Sequence, residues 1–299
     1  MRMLFRVGRV MVVFAVFASV TSTVHASGPR FADYFPSQSR ATYQSSNPAT
    51  NYWALLIGIN QYSGSTKDNI GSYQDAYNLR KYLLSLHWHA DHITLLGNSK
   101  ATASMVIQSM RWLASKTNSS STVVFYYAGH ERPGHSTSDG DSESMDVGLW
   151  ASDNRTVWDG TIGKELGKVR ARHMWIGISS CRAGGFSDSG MVKSGRILTY
   201  SSPQSELSYE DPQAHTTVFG WYMINAAMQN GAGDANGDGV VTVEEAYKYA
   251  RPQVISRTRN KQHPKIIDKL SGSMSLVAPV PPPPPSTQPK KTCTLFVCH

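Results

Sequence analysis

The chain has 299 residues, 29 of them Lys or Arg and 21 Asp or Glu, for a formal net charge of +8 at pH 7. Three of the positive charges lie at Arg2, Arg6 and Arg9, and residues 1–26 contain no acid, so the rest of the chain carries about +5. This mild excess is not clustered, which argues against a nucleic-acid partner.

Residues 1–26 have the pattern of a secretory signal peptide. The basic start is followed by the apolar run VMVVFAVFASV (10–20) and by small residues ending at Ala26. The run is short for a membrane span, although an uncleaved anchor is an alternative. We therefore predict a secreted or periplasmic protein with no membrane span after signal removal.

Two segments flank the region that we expect to fold. Residues 27–50, rich in Ser, Pro, Thr and Asn, predict a linker, and residues 279–299 begin with the proline-rich run PVPPPPPSTQPKK. This tail contains Cys293 and Cys298, which are close enough in sequence to pair in an oxidising compartment. Its role is either surface attachment or simple disorder. Residues 51–278 are long enough for one well-buried domain.

Apolar runs and helical periodicity alternate through this domain. Strands are predicted at 53–59 (WALLIGI), 92–96, 121–127, 174–179, 196–202 and 273–277. Helices are predicted at 72–86, 102–116, 216–229 and 243–255, the last bent or broken at Pro252. This alternation predicts an α/β fold with a mostly parallel central sheet.

Two strand ends carry residues suited to nucleophilic catalysis. The run YYAGHE (126–131) places His130 just past the third strand, and SSCRAGG (179–185) places Cys181 just past the fourth. Sites in parallel sheets form at the carboxyl ends of strands, and an imidazole can take the proton of a nearby thiol. The Cys181 N–H would be available to an oxyanion. The alternative is a buried inert cysteine and a histidine satisfied in a loop.

These segments resemble the caspase and metacaspase peptidases. YYAGH (126–130) is similar to their Tyr-Ser-Gly-His-Gly motif, and SSCRAGG to Asp-Ser-Cys-His-Ser-Gly, with 51 residues between His130 and Cys181 (181 − 130). The similarity covers roughly residues 52–277 in the family's order. It implies a caspase-like sheet with helices on both faces. It also implies a cysteine endopeptidase in which His130 is the general acid/base and Cys181 the nucleophile.

Two of the departures from the family pattern bear on oxyanion binding and on substrate preference. The glycine after the histidine, whose N–H helps to bind the oxyanion in the family, is Glu131 here. Of the two acids that give metacaspases their preference for Arg or Lys, one is replaced by Ser179 and the other matches Asp75. Asp75 also fits a capping box with Ser72 at the start of a helix. We predict cleavage after Arg or Lys, with a weaker preference than the family's.

Residues 234–245, DANGDGVVTVEE, match the calcium-binding loop of EF-hands at every constrained position. The predicted Ca²⁺ ligands are listed in loop order: Asp234, Asn236, Asp238, the Val240 carbonyl, Thr242 through water, and Glu245. A polar turn before a capped helix is the alternative.

Three functions are compatible with these residues. The first is an exported caspase-like peptidase acting on proteins or peptides. The second is a legumain-like relative that cuts after Asn. The third is an inactive calcium-binding or adhesion module built on a peptidase fold. Glu131 and the missing pocket acid favour this third function, whereas the presence of both His130 and Cys181 argues against it.

Overall fold

The computed structural model describes residues 50–135, 145–187 and 190–277. The predicted signal peptide, linker and tail, with Cys293 and Cys298, lie outside the described residues. No helix within the described part is both long and apolar enough to cross a membrane.

A six-stranded sheet forms the centre of the fold, in the order β11-β8-β7-β3-β1-β2. Five strands run parallel, and β11 is antiparallel to β8 at one edge. The prediction of a mostly parallel sheet is confirmed. The strands are β1 (Tyr52–Gly58), β2 (Ile93–Gly97), β3 (Thr122–Ala128), β7 (His173–Ser179), β8 (Arg196–Tyr200) and β11 (Lys265–Asp268).

Helices cover both faces of this sheet. On one face α1 (Ser72–Ser85) packs against β1 and β3 and contacts the π-helix Trp221–Gln229, which packs against α5 (Val243–Arg257). On the other face α2 (Ala103–Lys116) packs against β1 and α3 (Asp159–Leu166). The central strands are buried on both faces because both layers of helices cover them, which explains their near-continuous apolar sequences.

Short elements around the sheet were not predicted from sequence. A three-stranded antiparallel sheet, ordered β4-β5-β6, lies beyond β3, and a two-stranded sheet, β9 with β10, precedes the short helix α4. Their bounds are Glu131–Gly134 (β4), Asp146–Trp150 (β5), Thr156–Trp158 (β6), Glu210–Asp211 (β9), Thr216–Thr217 (β10) and Val218–Gly220 (α4), which continues into the π-helix.

The structure contradicts two expectations about the C-terminal part, a break of the helix at Pro252 and a strand at 273–277. Helix α5 continues through Pro252 to Arg257, since Pro252 lies on the exposed face, where water can hydrate the carbonyl freed one turn earlier. Residues 273–277 form no strand. Their backbone instead bonds to other elements, because the Met274 N–H donates to the Glu244 carboxylate at 3.0 Å and the Leu276 carbonyl accepts from Trp88 Nε1 at 2.9 Å.

Candidate active site

The fold brings the two candidate catalytic residues to neighbouring strand ends. Strands β3 and β7 pair in parallel with Ala128 opposite Ser179, and the Gly129 N–H donates to the Ser179 carbonyl at 3.3 Å. His130 and Cys181 each follow two residues after those paired positions, and both are partly buried. The predicted placement at one edge of the sheet is therefore observed.

The backbone and ring of His130 are held by several hydrogen bonds. Its N–H donates to the Tyr62 hydroxyl at 2.7 Å, and the Tyr127 hydroxyl donates to its carbonyl. Ring atom Nε2 lies 2.7 Å from the Lys67 carbonyl. A carbonyl only accepts, so this contact places a proton on Nε2. In the neutral ring, Nδ1 is then the nitrogen that can accept a proton.

The Cys181 sulfur contacts the backbone of Ser208. The Ser208 N–H donates to Sγ at 3.3 Å, and Sγ lies 3.6 Å from the Ser208 carbonyl. Burial raises the pKa of the Cys181 thiol, with Glu131 adding to the rise and Arg182 opposing it. Among the described residues no hydrogen bond joins Sγ to the His130 ring. In this conformation the thiol contacts the backbone of Ser208 rather than the imidazole.

The segment around Ser208 is anchored by residues that follow α5. Gln262 is fully buried, and its Nε2 donates to the Ser201 carbonyl at 2.9 Å and to the Ser208 hydroxyl at 3.2 Å. His263 Nδ1 lies 2.9 Å from a Glu206 carboxylate oxygen, and the Glu206 carbonyl accepts from the Arg182 N–H at 2.8 Å. These contacts fix the backbone that lies over the nucleophile.

Two backbone donors are placed to bind an oxyanion. No acceptor within the described residues pairs with the Cys181 N–H. The Trp150 N–H donates to the His130 carbonyl at 3.1 Å, which makes the next pair, Glu131 with Leu149, a non-hydrogen-bonded pair of the antiparallel ladder. The Glu131 N–H therefore points away from β5, as the oxyanion role requires.

An ion pair connects the residues that follow His130 and Cys181. Arg182 Nη1 lies 2.5 Å from Glu131 Oε1, and the Glu131 side chain is only 4% exposed. The second carboxylate oxygen, Oε2, is buried and has no hydrogen-bond partner among the described residues. Burial raises the pKa of Glu131, and Arg182 opposes that rise. The family's glycine position thus carries a buried carboxyl group beside the reaction centre.

Asp75 lies in a closed polar network. Its carboxylate accepts from the Thr217 N–H at 3.1 Å, the Thr217 hydroxyl at 2.6 Å and the Tyr126 hydroxyl at 3.2 Å. Ser179 Oγ lies 2.8 Å from the same Thr217 hydroxyl. The positions that carry the two pocket acids in metacaspases are therefore linked through one threonine. The backbone of Gly220 lies so close to the carboxylate that a β-carbon would have no room.

The capping-box alternative for Asp75 is wrong, because α1 begins after Gly71 with no side-chain cap, and Ser72 is its first residue. Burial raises the pKa of Asp75 to about 8, and the hydrogen bonds from Thr217 and Tyr126 only partly oppose it. At neutral pH this acid is therefore mostly protonated.

The predicted calcium loop is an exposed turn before α5. The Asp234 carboxylate accepts from the Gly237 and Gly239 N–H groups at 2.8 and 2.9 Å, and the Asp238 carboxylate accepts from the Val240 N–H at 2.8 Å. Asn236 lies between them, with its side-chain amide 2.9 Å from Asp238.

The last predicted ligand of that loop has a structural partner. Glu245 and Thr242 form a capping box, in which the Thr242 N–H donates to Glu245 at 3.0 Å and the Glu245 N–H donates to the Thr242 hydroxyl at 3.2 Å. In the part of the chain that the structure describes, no three His, Cys, Asp or Glu side chains converge as a metal-binding group. The loop supplies oxygen donors, and Glu245 would have to leave the cap to join them.

Sequence comparison assigns the chain to a protein family. The sequence model of the caspase domain matches residues 51–274. The chain therefore belongs to the caspase-domain family of cysteine peptidases.

Two curated relatives that the chain resembles are metacaspases. Metacaspase-1 of Scheffersomyces stipitis is 32% identical over 118 residues, covering 37% of this chain and 28% of that protein. Metacaspase-1 of Meyerozyma guilliermondii is 32% identical over 96 residues, covering 30% of this chain and 23% of that protein. The chain thus spans about a quarter of the length of the metacaspases that it matches.

Among solved structures, protein GSU0716 from Geobacter sulfurreducens superimposes with a TM-score of 0.56. It is 15% identical, and the match covers 74% of this chain and 94% of that chain. At this identity the likeness shows the fold alone.

Several residues of the site were not identified from sequence. The contacts of Lys67 and Ser208 use backbone atoms, for which side-chain identity gives no signal. The pairing of Arg182 with Glu131 was also not predicted. The position of Arg182 directly after Cys181, with Glu131 directly after His130, was the available sign that the two would meet.

Proposed function

We propose that this protein is an exported cysteine endopeptidase of the metacaspase type, with Cys181 as nucleophile and His130 as general acid/base. The observation that carries the proposal is the register of β3 and β7, which brings both residues to one edge of the sheet. Membership of the caspase-domain family supports it independently.

The arrangement suits acyl transfer. His130 Nδ1 accepts the thiol proton as Cys181 Sγ bonds to the scissile carbonyl carbon, and the carbonyl π electrons move to its oxygen. The N–H groups of Cys181 and Glu131 stabilise that oxyanion. On collapse, the C–N bond breaks and His130 gives its proton to the leaving amine. Water then cleaves the thioester, losing a proton to His130 that returns to sulfur.

We further propose a preference for Arg or Lys at the cleaved position, supported by Asp75 and its link to Ser179 through Thr217. The raised pKa of Asp75 makes this preference depend on pH. Near pH 7 the mostly neutral acid attracts a cationic side chain weakly, and near pH 9 the carboxylate attracts it more strongly. The ratio of rates for an Arg reporter and an Ala reporter should therefore rise over that range, and Asp75→Asn should abolish the rise.

An inactive module is the second candidate function. The sulfur contacts Ser208 rather than the imidazole, and burial raises its pKa. A peptidyl electrophile separates the two candidates, because an activated thiol is labelled at Cys181 and an inert buried thiol is not.

Ca²⁺ binding at residues 234–245 is also proposed, with Asp234, Asn236, Asp238, Val240, Thr242 and Glu245 as ligands. Glu245→Gln is an informative variant, since glutamine preserves a capping box while removing a charged ligand. Titration calorimetry with CaCl₂ should show one site in the parent and weaker binding in the variant, at unchanged stability without calcium. Equal affinity in both proteins would contradict the assignment.

Export and the tail follow from sequence alone. We propose that residues 1–26 direct secretion to the periplasm or the medium and that residues 279–299 are a disordered tail, with surface attachment as the alternative. Fractionation of cells that express the full chain, compared with a chain lacking 279–299, tests both points.

One experiment tests the main proposal. Reporter peptides ending in Arg, Lys, Asp or Asn are incubated with the parent and with Cys181→Ala, with and without CaCl₂. We expect release of the reporter group to depend on Cys181 and to be fastest from the peptides ending in Arg or Lys. Fastest release after Asn would favour the legumain-like alternative, and no Cys181-dependent release from any peptide would favour the inactive module.

A further inference from the structure

The pair formed by Glu131 and Arg182 replaces two residues of the family pattern. Metacaspase motifs have glycine after the catalytic histidine and histidine after the cysteine, whereas this chain has an acid and a base. The two side chains meet at 2.5 Å, although 51 residues separate them in sequence (182 − 131). Both departures therefore belong to one local arrangement.

The glutamate by itself opposes the proposed chemistry. Its N–H is an oxyanion donor, while its own buried carboxylate lies close to the negative charge that forms on the substrate. Burial also leaves Oε2 without a hydrogen-bond partner among the described residues, so little besides Arg182 offsets the charge. Like charges in a poorly solvated site repel strongly.

The arginine is held in a constrained place. Arg182 has φ +50°, a left-handed conformation that is costly for a residue with a β-carbon. Its N–H donates to the Glu206 carbonyl at 2.8 Å, and its carbonyl accepts from the Gly185 N–H at 2.9 Å. The backbone of the nucleophile's own turn thus directs the guanidinium towards Glu131.

We propose that Arg182 is a positioning residue that neutralises the Glu131 carboxylate and ties β4 to the turn of the nucleophile, so that the Glu131 N–H remains effective towards the oxyanion. The inference rests on the proposed peptidase function. It predicts that the two side chains act as a unit. Removal of the Arg182 charge alone should lower peptidase activity, whereas removal of both the Arg182 and the Glu131 charges should leave activity nearly unchanged.

The test is a double-mutant cycle of Arg182→Gln, Glu131→Gln and the double variant. Arg182→Gln should lower kcat at least about tenfold with little change in KM, because the uncompensated charge weakens oxyanion binding. The double variant should recover to within about threefold of the parent, since no net charge remains to be offset. Arg111→Gln is the matched control, because Arg111 forms a similar pair with a buried acid, Glu165, at 3.0 Å and is expected to leave kcat unchanged.

A second measurement does not need turnover. Alkylation of Cys181 by iodoacetamide is followed against pH, and its midpoint should move to higher pH in Arg182→Gln and return in the double variant, because Glu131 raises the thiol pKa and Arg182 lowers it. If the parent cleaves no peptide but Arg182→Gln still shows this shift, the peptidase proposal is refuted. The electrostatic coupling between Arg182, Glu131 and Cys181 would then still hold. If the parent cleaves peptides but Arg182→Gln keeps the full kcat, the inference is overturned while the peptidase proposal stands. The same holds if the double variant does not recover the kcat of the parent.

Discussion

Replacement of Asp75 by Asn should change how the stability of the fold depends on pH. The carboxyl group is fully buried and burial raises its pKa to about 8, whereas an aspartate in the unfolded chain has a pKa near 3.9. Between these values the folded state holds a proton that the unfolded state has released. The contribution of Asp75 is therefore complete below about pH 4 and is lost as pH rises to about 8.

The size of the effect follows from proton linkage. One proton of difference lowers the free energy of unfolding by about 1.4 kcal/mol per pH unit, or about 3 kcal/mol between pH 5 and pH 7. An asparagine at this position cannot ionise, and its amide can serve the Tyr126 and Thr217 hydroxyls as the protonated acid does. The free energy of unfolding of Asp75→Asn should therefore not fall in this way, and the difference in stability between this variant and the parent should grow with pH.

Urea unfolding followed by tryptophan fluorescence at pH 5, 6, 7 and 8 measures this difference. Both proteins carry Cys181→Ala so that self-cleavage does not interfere. Asp91→Asn, which removes an exposed acid on the surface, serves as the control substitution. Parallel curves for Asp75→Asn and the parent would refute the conclusion that Asp75 is protonated in the folded protein.

Three further substitutions test packing around the site. Gly220→Ala should lower the free energy of unfolding by about 1–3 kcal/mol, because its β-carbon would overlap the Asp75 carboxylate, and an unchanged urea midpoint would contradict this. Gln262→Ala should leave its buried hydrogen-bond partners unsatisfied and lower the free energy of unfolding by about 1–3 kcal/mol. It should also speed alkylation of Cys181, and an unchanged alkylation rate would show that Gln262 does not hold the segment around Ser208. Thr242→Ala should cost about 1 kcal/mol by removing the cap of α5, as measured by thermal unfolding against Thr258→Ala at the other end of the helix.

The central strands and main helices are predictable because burial on both faces leaves a clear sequence pattern. WALLIGI and STVVFYY are almost continuously apolar since helices cover each side of β1 and β3. Strands β4 to β6 have three to five residues, and β4 contains Pro133 and Gly134, so neither length nor alternation distinguishes them from loops. Strand β11 lies at the sheet edge, with both ends exposed, and lacks the apolar run that marks the others.

The two proposed catalytic residues are predictable for a topological reason. Adjacent parallel strands present their carboxyl ends at one edge, so a histidine and a cysteine that follow two such neighbours lie at the same edge of the sheet. The contacts that orient them are less accessible to sequence reasoning. They depend on backbone atoms at Lys67 and Ser208, which any residue type supplies.

Charge state is a property of the site that sequence alone does not determine. The sequence offers Asp75 as a helix cap or as a charged anchor for a basic substrate, and each interpretation treats it as an ordinary carboxylate. Helix α1 instead carries it under Gly220, where Thr217 and Tyr126 are its partners and water is excluded. Glu131 is also buried, yet the guanidinium of Arg182 lies against it and favours its ionised form. Burial raises the pKa of both acids, but Glu131 has a cation beside it that opposes the rise, whereas Asp75 has only neutral donors, so the number of acids near a nucleophile is a poor guide to the charge that a substrate meets.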